Sequence, residues 1–294
     1  MSVREYYYKH FNELSSDKQF HFATRMKNIF GVHDFDEYLK QNKPSADVTI
    51  LLVNKDYSMV TNLSARKPFF EKYPDLYGIE AALFRVHHLL KEYSDNIKDI
   101  LIDSYPLDKL YKLSDDLFDD KEALVILSSW AINTICLTEE LFPRNNNVIV
   151  KLTKWVLRSN FEKIDASLAV YLCTHIVICE SEFYTKDVKE SPNHELMVKL
   201  LRKCRDLIHK NIGTVLLDSC IEYLVCCKLI GVPDEELEER INAICKECLQ
   251  RSPYLIDYRR DNTPDSYYHS LDGAEHINAL YIMSGLDKRN TNHR

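Results

Sequence analysis

Apolar residues recur every three or four positions along most of the chain, as in helices that bury one face. The clearest run starts at Gly78, where Ile79, Ala82, Leu83, Val86, Leu89 and Leu90 carry the pattern to Tyr93. Before it, Val3 to Leu14 and Asp17 to Phe30 read as two amphipathic helices. The second is entered through Ser15-Ser16-Asp17 and stopped by Gly31. Asp36 to Gln41 makes a further short helix. Residues 45–76 are less regular: Val48 to Val53 is rich in β-branched residues, is read as helix, and precedes a loop marked by Pro68 and Pro74.

After Tyr93 the punctuation is regular. Tyr105-Pro106 opens a helix carrying Leu107, Leu110, Leu113 and Leu117, and Asp119-Asp120 caps the next, which runs through Leu124 to Leu141. Asn145 to Asn147 leads into Val148 to Leu157. Glu195 to Asn211, Thr214 to Ile230 and a segment entered at Pro233-Asp234 follow, and a last helix covers Tyr267 to Ser284 before Gly285. The expected fold is all-α, with consecutive antiparallel helix pairs in a toroid or solenoid-like array. Residues 1–294 form one helical domain in this reading, with 1–76 the less regular part and 77–294 the array.

The most apolar stretch is Leu168 to Tyr184, LAVYLCTHIVICESEFY, which Asp165 can cap. It is hydrophobic on nearly every face, so it belongs inside the assembly. A histidine at its centre, His175, therefore needs a partner.

Composition narrows the setting. Six Gly and nine Pro are few for a β-rich chain of 294 residues. A formal net charge of −7 with scattered basic residues disfavours a nucleic-acid surface. No apolar run reaches the ~20 residues that span a bilayer, and the first residues carry no signal-peptide core. The nine cysteines fall mostly inside apolar helices, as reduced thiols of a cytoplasmic protein do.

The candidate chemistry lies in polar residues on apolar helices. His175 and Glu182 share a face but stand roughly 10 Å apart along the axis, so they can line one cavity without touching. In the last helix His269, Asp272 and His276 follow i, i+3, i+7, and Asp272 and His276 have the i, i+4 spacing at which side chains meet. A carboxylate that orients an imidazole serves both general-base and metal chemistry. The candidate catalytic residues are therefore His175, Glu182, His269, Asp272 and His276. A divalent metal would take His175, Asp272 and His276. Gly273, within that helix, permits a close backbone or ligand approach, or marks a helix that starts later.

Two motifs carry less. Asp115, Asp116 and Asp119 spell the DDxxD of class I terpene synthases, where paired carboxylates hold magnesium on a diphosphate, but the second metal motif of those enzymes has no counterpart here. Cys245 and Cys248 form a lone CxxC on an apolar stripe, which reads as core thiols.

Thr174-His175 with Glu182-Phe183, together with Gly78 to Leu83 and Tyr268-His269, resembles the L-T-H…D-F signature of a bacterial family of all-helical proteins of unknown function. This chain has Cys173 in place of Leu and Glu182 in place of Asp. The resemblance implies that His175, Glu182 and His269 line a common site, and it implies no reaction. The expected function is binding of a small molecule or peptide in a central cavity, with His/carboxylate acid–base or metal chemistry of the kind used by tailoring enzymes of specialised metabolism. The alternative is a non-catalytic helical scaffold for a protein partner, and a terpene-synthase-like enzyme stands third.

Overall fold

A computed structural model of the protein describes residues 1–41, 52, 64–90, 96–144, 147–259 and 266–291, and every regular element among them is helical. The fold is all-α. The α-helices are α1 (Val3–Lys9), α2 (Ser16–Phe30), α3 (Asp36–Gln41), α4 (Lys67–Lys72), α5 (Leu76–Leu89), α6 (Asn96–Ser104), α7 (Leu107–Asp119) and α8 (Lys121–Leu127). They continue with α9 (Ser129–Leu141), α10 (Val148–Arg158), α11 (Ala166–Glu180), α12 (His194–Asn211), α13 (Leu217–Ile230), α14 (Glu235–Leu249), α15 (Glu275–Ser284) and α16 (Leu286–Thr291). The stretch 48–53, read as helix from its composition, lies outside the described residues apart from residue 52.

Many ends follow from local chemistry. The Asp120 side chain accepts the Ala123 amide at the start of α8, and Asp234 does the same for Leu237 at the start of α14. Asp165 receives the amides of Ser167 and Leu168 ahead of α11. Gly31, Gly231 and Gly285 close α2, α13 and α15 in the left-handed conformation that glycine adopts without penalty.

Four expectations are corrected. Residues 67–72 are helical rather than a loop, because Pro68 sits in the first turn, where its missing N–H costs nothing. The helix expected from Leu124 to Leu141 is two helices bent by 108° about Ser128, a buried residue with φ 49. The segment from Tyr267 to Ser284 is not one helix. A 3-10 turn at Tyr267–His269 and further turns precede α15, which begins at Glu275. Finally, α11 stops at Glu180 rather than continuing to Tyr184.

The chain divides into two units. Unit 1 comprises Met1–Leu39, Asp165–Val170 and Glu180–Arg294, and unit 2 comprises Lys40–Ile164 and Tyr171–Cys179. Helix α11 therefore gives its middle to unit 2 and its start to unit 1. In unit 1, Tyr7, Phe22, Met26, Leu217, Ile221, Leu280 and Tyr281 are among the fully buried side chains. α12 and α13 form an antiparallel pair: His194 at the start of one donates to the Ile230 carbonyl at the end of the other, 3.1 Å away. In unit 2, Leu76, Leu83, Val86, Ile132, Ile135 and Leu172 are buried to within a per cent or less.

Within unit 2, α5 and α9 lie side by side and run in the same direction. Glu80 meets Asn133 and, seven residues on along both helices, His87 meets Glu140, each at 2.8 Å. Neighbours that run the same way cannot be consecutive, so the chain between them must return through other helices.

Candidate functional site

The polar arrangement of most chemical interest is built from α5, α9 and α11 within unit 2. Asn133 Nδ2 donates to Glu80 Oε1 at 2.8 Å, and the Asn133 Oδ1 lies 2.8 Å from His175 Nδ1. A carboxylate only accepts, so the amide nitrogen of Asn133 is committed to Glu80 and its oxygen must be the acceptor toward His175. His175 therefore carries its proton on Nδ1. Asn133 is 6% exposed, while Glu80 and His175 are only half-buried, so water or a ligand reaches the ends of the relay and not its middle. The Tyr171 ring stands edge-on to the imidazole with centroids 6.2 Å apart.

Burial in α9 makes the bridge selective. A buried amide with one end unsatisfied costs about 1–3 kcal/mol, so Asn133 holds both neighbours in fixed orientation. The carboxylate–amide–imidazole order resembles the Asn- or Asp-oriented histidine of nucleophilic and general-base catalysts. It is a geometry suited to proton transfer.

The second polar cluster lies in unit 1. His21 of α2 places Nδ1 2.9 Å from Glu275 Oε1 at the first residue of α15. Glu275 is fully buried, and its other oxygen, Oε2, meets no hydrogen-bond partner among the described residues. Burial, opposed by Lys18 and His276, pushes the Glu275 carboxyl up to about 7. Burial, reinforced by His21, pulls His276 down to about 4. His21 is itself held well below the usual imidazole range, by burial first and then by Arg25 and Lys18. The rings of His21 and His276 have centroids 5.4 Å apart. Only Glu275 is fully closed off in this cluster; His21 and His276 are half-buried.

The residues singled out from the sequence fall into separate settings. His175 belongs to unit 2 and has Asn133 as a partner. Asp272 is not one helical turn from His276, since it sits in the turns before α15, where its Oδ1 accepts the Ser15 amide at 2.9 Å and so helps fix the entry to α2. His269 lies in the 3-10 turn, its ring 5.2 Å from that of Tyr258, and its carbonyl accepts from the Tyr254 hydroxyl at 2.9 Å. Glu182 pairs with Lys186 just after α11. Gly273 is the close-approach glycine: a Cβ there would stand 2.0 Å from the Tyr267 carbonyl oxygen.

Among the described residues no group of three or more His, Cys, Asp or Glu side chains is disposed to hold a metal ion. The acidic run of α7 is engaged elsewhere. Asp115 receives two hydrogen bonds from Arg144 at 2.9 Å, Asp116 pairs with Lys112 at 2.6 Å, and Asp120 caps α8. Cys245 is buried, Cys248 is half-buried, and both thiols are raised by that burial. None of the nine cysteines forms a disulfide. No single helix among the described residues is long and apolar enough to cross a membrane.

Glu80, Asn133, His21 and Glu275 escaped the sequence reading. Glu275 had a visible signal, a carboxylate beside His276 on an otherwise apolar helix. Asn133 had one too, as an amide within the apolar run from Trp130 to Leu137. Their partners lie 42 to 254 residues away, and no local spacing reveals them. No family model, curated protein or solved structure matches the chain.

Proposed function

We propose that the protein is an acid–base catalyst acting on a small molecule or peptide, with His175 as the proton-transfer group. Asn133 and Glu80 are positioning residues in this reading. The observation that carries it is the relay itself: two hydrogen bonds of 2.8 Å fix the tautomer of a half-buried imidazole. A histidine held in one tautomer needs little reorganisation to take part in proton transfer. Two of the segments that resemble the bacterial signature, Gly78 to Leu83 and Thr174-His175, contribute Glu80 and His175. That coincidence supports assigning His175 and Glu80 to one site. Nine cysteines, none in a disulfide, support a reducing, cytoplasmic setting.

The test is a turnover screen of the purified protein on ester, amide and carbonyl substrates, small and peptidic, followed by variants. Activity on one of these substrate classes is expected of the parent protein. It should be abolished in His175→Ala and reduced about 100-fold in Asn133→Ala, in line with the 10²–10⁴-fold usual for general acid–base catalysis. Glu80→Gln should lower turnover less than Asn133→Ala, because the amide bridge keeps a partner. Turnover indifferent to all three substitutions would sink the reading.

A second reading, a non-catalytic scaffold, is favoured by the polar side chains of unit 1. Asn278 is fully buried and ties α15 to Leu255 through its amide and carbonyl, while Asp287 receives the Val3 amide at 2.9 Å. These contacts fix packing and have no free chemistry. If His175→Ala lowered stability alone, with no ligand or turnover affected, the scaffold would be the better account.

A further inference from the structure

Helix α11 ends without any residue that requires it to end. Cys179 to Lys186 reads CESEFYTK, which contains neither glycine nor proline, and Glu, Phe and Tyr all tolerate a helix. Yet Glu182, Phe183 and Tyr184 have φ of 48, 53 and 69°, three consecutive side-chain-bearing residues in the left-handed region. Such residues visit that region singly and at a penalty, because Cβ crowds the following carbonyl oxygen. Elsewhere among the described residues only Ser128 and Asn147 share it without being glycine.

The turn is held from inside and outside. Inside, the buried Ser181 hydroxyl accepts the Tyr184 amide at 2.9 Å, and the Ser181 carbonyl accepts the amides of Thr185 and Lys186 at 3.1 and 2.9 Å. Glu182 pairs with Lys186. Outside, α2 supplies two contacts: Asn28 Nδ2 donates to the Phe183 carbonyl at 3.3 Å, and the Arg25 guanidinium lies 4.9 Å over the Tyr184 ring. Phe183 and Tyr184 are 1% and 4% exposed, so burial of two aromatic rings offsets the backbone strain.

We propose that Ser181 to Lys186 is a strained helix stop clasped by α2, and that release of the clasp lets α11 run on through Tyr184. In the extended state the Tyr184 amide turns from the Ser181 hydroxyl to the Glu180 carbonyl, the ordinary i to i−4 bond. The helix gains about 6 Å of length, the rise of four residues, and the Phe183 and Tyr184 rings leave their buried seats. The local preference of the sequence favours the long helix, and packing against α2 favours the short one. A segment poised between two arrangements is the element from which conformational switches are built.

Two experiments decide it, both on the full chain. At Glu182 both Ala and Gly remove the pair with Lys186, and only Gly relieves the left-handed strain. Glu182→Gly should melt about 2–4 °C above Glu182→Ala, the reverse of their order inside a right-handed helix. Equal melting temperatures, or a higher one for Ala, would overturn the strained stop. In Asn28→Ala combined with Arg25→Lys, NMR should show Hα to Hβ (i, i+3) contacts for Cys179–Glu182, Glu180–Phe183 and Ser181–Tyr184. If the folded double variant lacks those contacts and keeps native amide protection at Thr185 and Lys186, the clasp by α2 is refuted. Should that variant not fold, Asn28→Ala alone is read in the same way.

Discussion

His21 and Glu275, 254 residues apart in sequence, meet at 2.9 Å and join α2 to the first turn of α15. The carboxyl is fully buried and, among the described residues, has an imidazole for one oxygen and no hydrogen-bond partner for the other. A buried charge with a single partner costs more than a shared neutral pair, so the protein resists ionising this acid.

The consequence for stability has a definite sign. Glu275 is raised from 4.5 to about 7, so the folded state holds a proton that the unfolded state has released. Its contribution is complete below pH 4.5 and is lost as the pH rises through 7. His276 is lowered from 6.5 to about 4, so its contribution is complete above 6.5 and is lost as the pH falls through 4. His21 acts in the same sense as His276. The two effects oppose one another between 4.5 and 6.5, and above 6.5 Glu275 acts alone. Urea unfolding should therefore show stability declining from pH 6.5 to 8. Glu275→Gln should flatten that decline and leave the variant more stable than the parent at pH 8, by on the order of 3 kcal/mol. A parent curve that keeps rising to pH 8 would contradict the buried acid.

The Asn133 bridge can be checked without a substrate. With the amide in place, ring ¹⁵N shifts should report His175 as the Nδ1–H tautomer when neutral. Asn133→Ala removes the acceptor, so the Nε2–H form, favoured by free imidazole side chains, should become the major one. The same change should cost about 1–3 kcal/mol, because Glu80 loses its donor as well. An unchanged tautomer would mean that the hydrogen bond does not order the ring.

Asn278 is the most heavily used amide of unit 1. Its Oδ1 accepts the Leu255 amide at 2.8 Å, and its Nδ2 reaches the carbonyls of Leu255 and Ala274 at 2.9 and 2.7 Å. Asn278→Ala would orphan these groups where water cannot replace it, at a cost of about 3 kcal/mol. Asn278→Asp restores the acceptor alone and should recover only part of the loss in thermal melts.

Gly273→Ala tests the turn that carries Asp272. An added Cβ would meet the Tyr267 carbonyl oxygen at 2.0 Å and its carbon at 2.7 Å, both backbone atoms that cannot swing aside. The expected loss is about 1–3 kcal/mol, as for other forced overpacking. It should come with faster amide exchange at His269 and Ser270, whose amides close the 3-10 turn. Parental stability in Gly273→Ala would show that the turn yields.

How much of this was legible depends on how local each cause is. The helices and many of their ends could be read because periodicity, Asp120, Asp165, Gly31, Gly231 and Gly285 act within a few residues. The bend at Ser128 and the stop at Glu182 could not, since neither has a glycine or proline and both are imposed by packing. The pairing of Asp272 with His276 failed for a related reason. It presumed a continuous helix, whereas Asp272 serves as an acceptor for Ser15 on another element. His175 was correctly marked as needing a partner. That the partner was an asparagine 42 residues earlier, itself tied to Glu80, is tertiary information.

The clamp between Val3 and Asp287 joins residues 284 apart. During synthesis at roughly 5–20 residues per second, α1 therefore waits on the order of 15–60 s for its carboxylate to be made. Until then the rings of Tyr7, Phe11 and Phe22, which the finished fold buries, have no α15 or α16 to cover them. Slowed translation of the last helices would therefore lengthen the exposure of these rings.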